Sequence, residues 1–140
     1  VTSKDYLDHL AAVPLFRGCN AKELRRIAKA VDEVAVEDGY VLAEQDTTGK
    51  QAFVIVEGEV VVKRNGRKVA TLGPGQSVGE LALLDGGPRT ATVVAAGPCE
   101  LLVLGQREFS GLLDGAPGLA RRMLSNLAAR VRELDQRVYS

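Results

Sequence analysis

The chain has 140 residues, the size of one domain, with 46% hydrophobic and 26% charged residues, which excludes a disordered segment. Eighteen basic residues balance eighteen acidic ones, so there is no electrostatic case for non-specific nucleic-acid binding. His9 is the only histidine, which excludes a catalytic triad, a cupin-type metal barrel and any multi-histidine metal site.

The N-terminus, VTSKDYLDHL, lacks the basic start and apolar run of a secretory signal. The apolar stretches, such as Val60-Val61-Val62, are far too short to cross a membrane. Cys19 and Cys99 are therefore expected to be free thiols in a cytoplasmic protein. In chain order, Ser3 is placed to cap a short helix carrying Tyr6, Leu7 and Leu10, with Pro14 just past its end. Asn20 and Glu23 have the spacing of a capping box, and Leu24, Ile27, Ala28 and Val31 follow at helical spacing.

From about residue 34 to 104 the period changes to two. Val34, Val36, Val41, Phe53, Ile55, Val60 and Val62 read as strand residues, and glycines recur at turn-like intervals. Asn65-Gly66 predicts a two-residue hairpin, because both central positions of a type I′ turn need positive φ. Short, evenly spaced strands of this kind predict a jelly roll or barrel. The helical pattern then returns. Glu108, Phe109, Leu112 and Leu113 fit a short helix ended by Gly115 and Pro117. A long helix follows over about residues 118–138, with Ala120, Leu124, Leu127, Val131, Leu134 and Val138 at heptad a/d spacing. Such a seam covers either the barrel or the same helix of a second copy. Arg121, Arg122, Arg130, Arg132 and Arg137 on this helix read as a solvated face.

Residues 77–94, SVGELALLDGGPRTATVV, carry the chemistry. A strand ends at Val78, Gly79 permits close backbone approach, and residues 80–84 have the pattern of a single helical turn. Asp85-Gly86-Gly87 makes a loop, Pro88 stiffens it, and Arg89 and Thr90 open the next strand. Free N–H groups at a helix start suit an anion, and Arg89 adds a fork matched to phosphate. An ionised Glu80 only accepts, which suits a sugar hydroxyl. Together these describe a pocket for a sugar phosphate. The residues alone leave a second reading open, in which Glu80 and Arg89 are surface charges or a weak ion pair.

VGELALLDGGPRTA, residues 78–91, resembles the phosphate-binding cassette of the cyclic nucleotide-binding domain family, the domain of catabolite activator proteins, protein kinase A regulatory subunits and cyclic-nucleotide-gated channels. The resemblance extends to Leu15-Phe16, to FVIVEGEV at residues 53–60 and to the long C-terminal helix. It implies a mainly β fold with flanking helices: an eight-stranded jelly-roll β-roll over residues 34–105, with the cassette at 77–92, N-terminal helices over 1–33 and C-terminal helices over 106–140. It implies that Glu80 accepts from the ribose 2′-hydroxyl and that Arg89 pairs with the cyclic phosphate. Gly79, Leu81 and Ala82 would approach the phosphate with backbone, and Thr90 would lie beside it and near the base. Val69 and Ala70 correspond to barrel-wall positions near the purine, and Leu134 and Asp135 to positions on the last helix that meet the base. Val78 stands where the family often has Phe, and Gln45-Asp46 lacks the glycine often found between them.

The expectation is a non-enzymatic sensor that binds cAMP, with cGMP also permitted, and signals through its C-terminal helix. It needs no metal or cofactor, forms a homodimer through that helix, and binds neither DNA nor membrane. Two alternatives stand beside it: a ligand-free dimerisation module, and the sensor fragment of a longer transcription regulator. A nucleotide hydrolase lacks metal ligands and any histidine near the site.

Overall fold

The computed structural model describes residues 3–139. Two helices and a turn come first: α1 (Ser3–Ala11), a 3₁₀ turn (Pro14–Phe16) and α2 (Ala21–Ala30). Eight strands follow: β1 (Asp32–Val36), β2 (Val41–Ala43), β3 (Gln51–Glu57), β4 (Val60–Arg64), β5 (Arg67–Leu72), β6 (Ser77–Val78), β7 (Thr92–Ala95) and β8 (Cys99–Gly105). The short helix α3 (Ala82–Asp85) interrupts them between β6 and β7, and α4 (Gln106–Gly115) and α5 (Pro117–Tyr139) close the chain. The strands form two four-stranded sheets, ordered β1-β8-β3-β6 and β2-β7-β4-β5, and every pairing is antiparallel. This is the expected eight-stranded roll with flanking helices.

The local signals fold as their chemistry dictates. At the start of α2 the Glu23 amide donates to Asn20 Oδ1 (2.8 Å) and the Asn20 amide donates to Glu23 Oε1 (2.9 Å), a complete capping box. Asn65 and Gly66 take φ of 53° and 79° between β4 and β5. The capping role expected for Ser3 lies outside the described side chains. α4 and α5 each begin within two residues of the expected place.

Two cores share one sheet. Phe53, Ile55, Leu101 and Val103 point into the roll, where they meet Val36, Leu42, Val60 and Val93. Their neighbours Val54, Val56, Leu102 and Leu104 point the other way and pack under the helices against Leu10, Phe16, Ile27, Phe109, Leu119 and Met123. β3 and β8 are therefore apolar without alternation, since both faces are covered. Alternation survives on β7, which has one face to solvent.

Of the two placements open to its seam, α5 does not take the one against the roll. Leu119 and Met123 are its buried anchors, and Leu127 packs partly against the helical core. Leu124, Val131, Leu134 and Val138 are 57–72% exposed. The heptad seam thus does not cover the roll. Tertiary contacts with the 3₁₀ turn fix the helix by another stripe: Asn126 Nδ2 donates to the carbonyls of Leu15 (2.9 Å) and Arg17 (3.0 Å).

Candidate functional site

The cassette is shaped by its backbone. β6 ends at Val78, and Gly79 turns the chain with φ of 75°. Its carbonyl accepts from the Ala82 amide (3.1 Å), and the chain winds into α3. Gly86, with φ of 62°, ends that turn by donating to Ala82 O (2.9 Å). The expected turn over residues 80–84 is real but its regular part lies later, because its first bonds, Ala82 to Gly79 O and Leu83 to Glu80 O, span three residues and the four-residue bonds begin only at Leu81 O. Asp85 Oδ1 accepts from the Gly87 amide (2.8 Å) and orders the loop into Pro88.

Arg89 is held on every side. Its amide donates to Thr47 O (2.7 Å) and its carbonyl accepts from the Asp46 amide (2.8 Å), so the β2–β3 loop pins its backbone. That loop turns at Asp46 with φ of 70°, the place where the glycine expected from the resemblance is missing; aspartate tolerates this region better than most residues. The guanidinium lies between Gly79 and Gly49. A Cβ on either would collide with it, so both positions are glycine for reasons of space. Nη2 donates to Gln51 O (2.6 Å), while Nη1 is buried with no hydrogen-bond partner. Among the described residues no carboxylate pairs with Arg89. Burial pulls its pKa below the usual arginine value, yet guanidinium stays charged in proteins. A half-buried cation whose buried Nη1 donor is unused is costly unless an anion answers it. An anionic oxygen fits this place.

Glu80 is 13% exposed at its side chain and does pair, though not with Arg89. Oε1 accepts from Arg130 Nη1 of α5 at 3.0 Å, and Oε2 accepts from Ser77 Oγ at 3.4 Å. The reading of Arg122, which pairs with Glu23 of α2 (3.2 Å), and of Arg130 as part of a solvated face is therefore corrected. One turn beyond Asn126, Arg130 lies on the stripe of α5 that faces the protein and reaches the cassette.

These groups surround one cavity of about 570 Å³. Gly79, Glu80, Leu81, Ala82, Arg89 and Thr90 all line it. Val69 and Ala70 do not: Val69 is 53% exposed on β5, and the apolar wall comes from Val62 and Leu72 instead. Leu134 and Asp135 do not line it either. They lie on the exposed end of α5, and Arg130 is the residue this helix contributes. Gly49, Arg64 and Arg130 escaped the sequence reading because their partners are 26 to 50 residues away in the chain.

The profile of the family described as "Cyclic nucleotide-binding domain" matches residues 33–115, more than half of the sequence. The chain belongs to this family. Among curated relatives, a cAMP-dependent protein kinase regulatory subunit from Mucor circinelloides is 35% identical over 128 residues, covering 89% of this chain and 30% of the relative. A cyclic AMP receptor protein from Thermus thermophilus is 32% identical over 127 residues, covering 87% of this chain and 59% of the relative. Among solved structures, the N-terminal domain of a transcriptional regulator from Streptomyces coelicolor superposes with a TM-score of 0.85 at 32% identity, covering 92% of this chain and 93% of that one. The chain spans less than two thirds of the length of these curated relatives. Their names are those of a regulatory subunit, a receptor and a transcriptional regulator. No helix among the described residues is long and apolar enough to cross a membrane.

Proposed function

We propose that this domain is a reversible cAMP sensor that performs no chemistry and transmits binding through α5. The observation that carries the reading is Arg89: a half-buried guanidinium whose Nη1 is buried and unused, opposed by no carboxylate among the described residues, between two glycines beside the cavity. A cyclic phosphate supplies the missing anion. Gly79, Leu81 and Ala82 bring backbone to the same wall, and Thr90 stands next to Arg89. Glu80 is the acceptor for the ribose 2′-hydroxyl. The names of the Mucor and Thermus proteins support cAMP as the ligand, and the apolar Val62 and Leu72 wall suits a purine. cGMP remains compatible with the same sugar-phosphate contacts.

Transmission rests on the Glu80–Arg130 pair. A ribose hydroxyl donating to Glu80 meets a carboxylate that already accepts from α5, so occupancy bears on how that helix is held. A ligand shifts a conformational balance only through its difference in affinity for the two states, and this shared carboxylate provides one. The exposed seam of α5 is the surface for a homodimer, and the free thiols Cys19 and Cys99 accord with a cytoplasmic setting. DNA binding and membrane binding are not part of this function. The likeness to the Streptomyces regulator domain favours a second reading of context, as the sensor part of a longer transcription regulator.

Calorimetric titration with cAMP and cGMP tests the proposal. Saturable binding that Arg89→Ala weakens is expected. No heat with millimolar cAMP or cGMP would leave a ligand-free dimerisation module in its place.

A further inference from the structure

Side chains alternate along β4, so Val60, Val62 and Arg64 share a face. Val60 is fully buried in the roll, Val62 forms part of the cavity wall, and Arg64 ends the row among the residues lining the same cavity. It is held in place. Its Nε donates to the carbonyl of Thr90 at 3.2 Å. The adjacent hairpin is clamped by Gln45, whose Nε2 donates to Asn65 Oδ1 and whose Oε1 accepts from the Asn65 amide, both at 2.8 Å. The bond to Thr90 uses one of five guanidinium donors. No carboxylate pairs with Arg64 among the described residues. Across the hairpin its register partner is Arg67, a like charge that weakens the strand pair. The fold itself gains little from an arginine here.

With the sugar phosphate on Glu80 and Arg89, the base extends along the apolar Val62 and Leu72 wall. We infer that Arg64 is a specificity-determining residue that reads the purine edge and lets the site accept 6-oxopurine cyclic nucleotides. The edge of guanine or hypoxanthine presents two acceptors, O6 and N7, which match the planar fork. Adenine presents N7 and an amino donor at N6, and offers the fork only one acceptor. A role on the phosphate is the weaker match, because Arg89 already brings a half-buried cation to the cassette while Arg64 is exposed, where water and salt screen its charge.

This inference rests on the nucleotide reading above, and one set of titrations separates the two. Wild type, Arg64→Ala and Arg64→Lys are titrated with cAMP, cGMP and cyclic IMP, which has O6 and N7 but lacks the 2-amino group of guanine. In Arg64→Ala, cGMP and cyclic IMP should each lose about tenfold or more in affinity. The loss for cAMP should stay below about threefold, and retained cAMP binding also reports a folded variant. Arg64→Lys keeps the charge and removes the fork, so it should behave like the alanine variant. Equal losses for all three nucleotides, full rescue by lysine, no change at all, or a wild type that binds cAMP but neither 6-oxopurine overturns the assignment of Arg64 alone. A wild type that binds none of the three overturns the nucleotide reading and this inference with it.

Discussion

Arg89 holds its Nη1 buried without a partner and pairs with no carboxylate among the described residues, so its replacement separates binding from stability. Removing one partner of a buried charge pair costs about 2–5 kcal/mol. Arg89→Ala should therefore weaken cAMP binding by roughly 30-fold to several thousand-fold by calorimetry, with the thermal midpoint maintained or raised. Glu80→Ala should lose less, since a hydrogen bond to a charged group contributes about 1.5–3 kcal/mol, and it should erase discrimination against 2′-deoxy-cAMP. Gly49 offers a sharper test. A methyl there pushes on the Arg89 side chain without removing any charge, so Gly49→Ala should reduce cAMP affinity in a folded protein; unchanged affinity would mean that the exact placement of the guanidinium is unimportant. Glu80 and Arg89 were legible as candidates in the sequence because the cassette is one continuous segment that carries its turn residues and both charges within residues 77–92. Gly49 was not, because its reason is a side chain 40 residues on and it adopts no unusual φ that a turn pattern would betray. The thiols make a separate prediction. Burial, with a smaller push from Asp38 and Glu59 that the bond to the Glu59 carbonyl opposes, raises the Cys99 thiol above its usual value. A raised folded pKa contributes stability that is full below the unfolded value and is lost as pH rises through the folded one. Urea midpoints should fall above about pH 8.5, and less steeply in Cys99→Ala, with part of the slope kept because Cys19 shifts the same way.

Among the elements, α5 links the cassette to the N-terminal helices. Asn126 holds it to the carbonyls of the 3₁₀ turn, Arg122 pairs with Glu23 of α2 at 3.2 Å, and Arg130 holds Glu80. These residues lie at spacings of four, so one stripe of the helix reads three parts of the molecule. Arg130→Ala frees the Glu80 carboxylate and loosens α5 from the cassette. If ribose and Arg130 compete for Glu80, the variant binds cAMP more tightly; if they share it, more weakly. In either case the change should vanish in an Arg130→Ala, Glu80→Ala double variant compared with Glu80→Ala alone. An Arg130→Ala protein with wild-type cAMP affinity would remove α5 from the binding step. The sequence pattern located α5 but left open which face it turns inward. The heptad count weighs apolar residues only, whereas Asn126 and Arg130 face inward for their polar ends. The strands show the converse: period two is faithful on β7, and lost on β3 and β8, whose two faces serve two different cores.

At the scale of the whole molecule, the exposed seam is where the proposed dimer is tested. Leu124, Val131, Leu134 and Val138 lie along one side of α5, each more than half exposed, while the opposite side holds the helix to the protein. A stripe of this kind is the narrow seam of a helix pair, and a second copy of the same helix complements it most simply, through a twofold axis. Leu127, though in register with the seam, packs partly against the helical core. Leu127→Asp therefore places a charge against the fold itself and would lower the melting temperature even in a monomer. Val131→Asp and Leu134→Asp change only water-facing positions in the isolated chain. Light scattering should give a dimer mass for the wild type and a monomer mass for the Val131→Asp, Leu134→Asp double variant, at an unchanged melting temperature when both are measured dilute. Because Val131 adjoins Arg130 in the chain, splitting the dimer should also alter cAMP affinity through the Glu80 contact. A wild type that remains monomeric at high micromolar concentration, with and without cAMP, would defeat the dimer assignment and leave the seam as an exposed face of this domain alone.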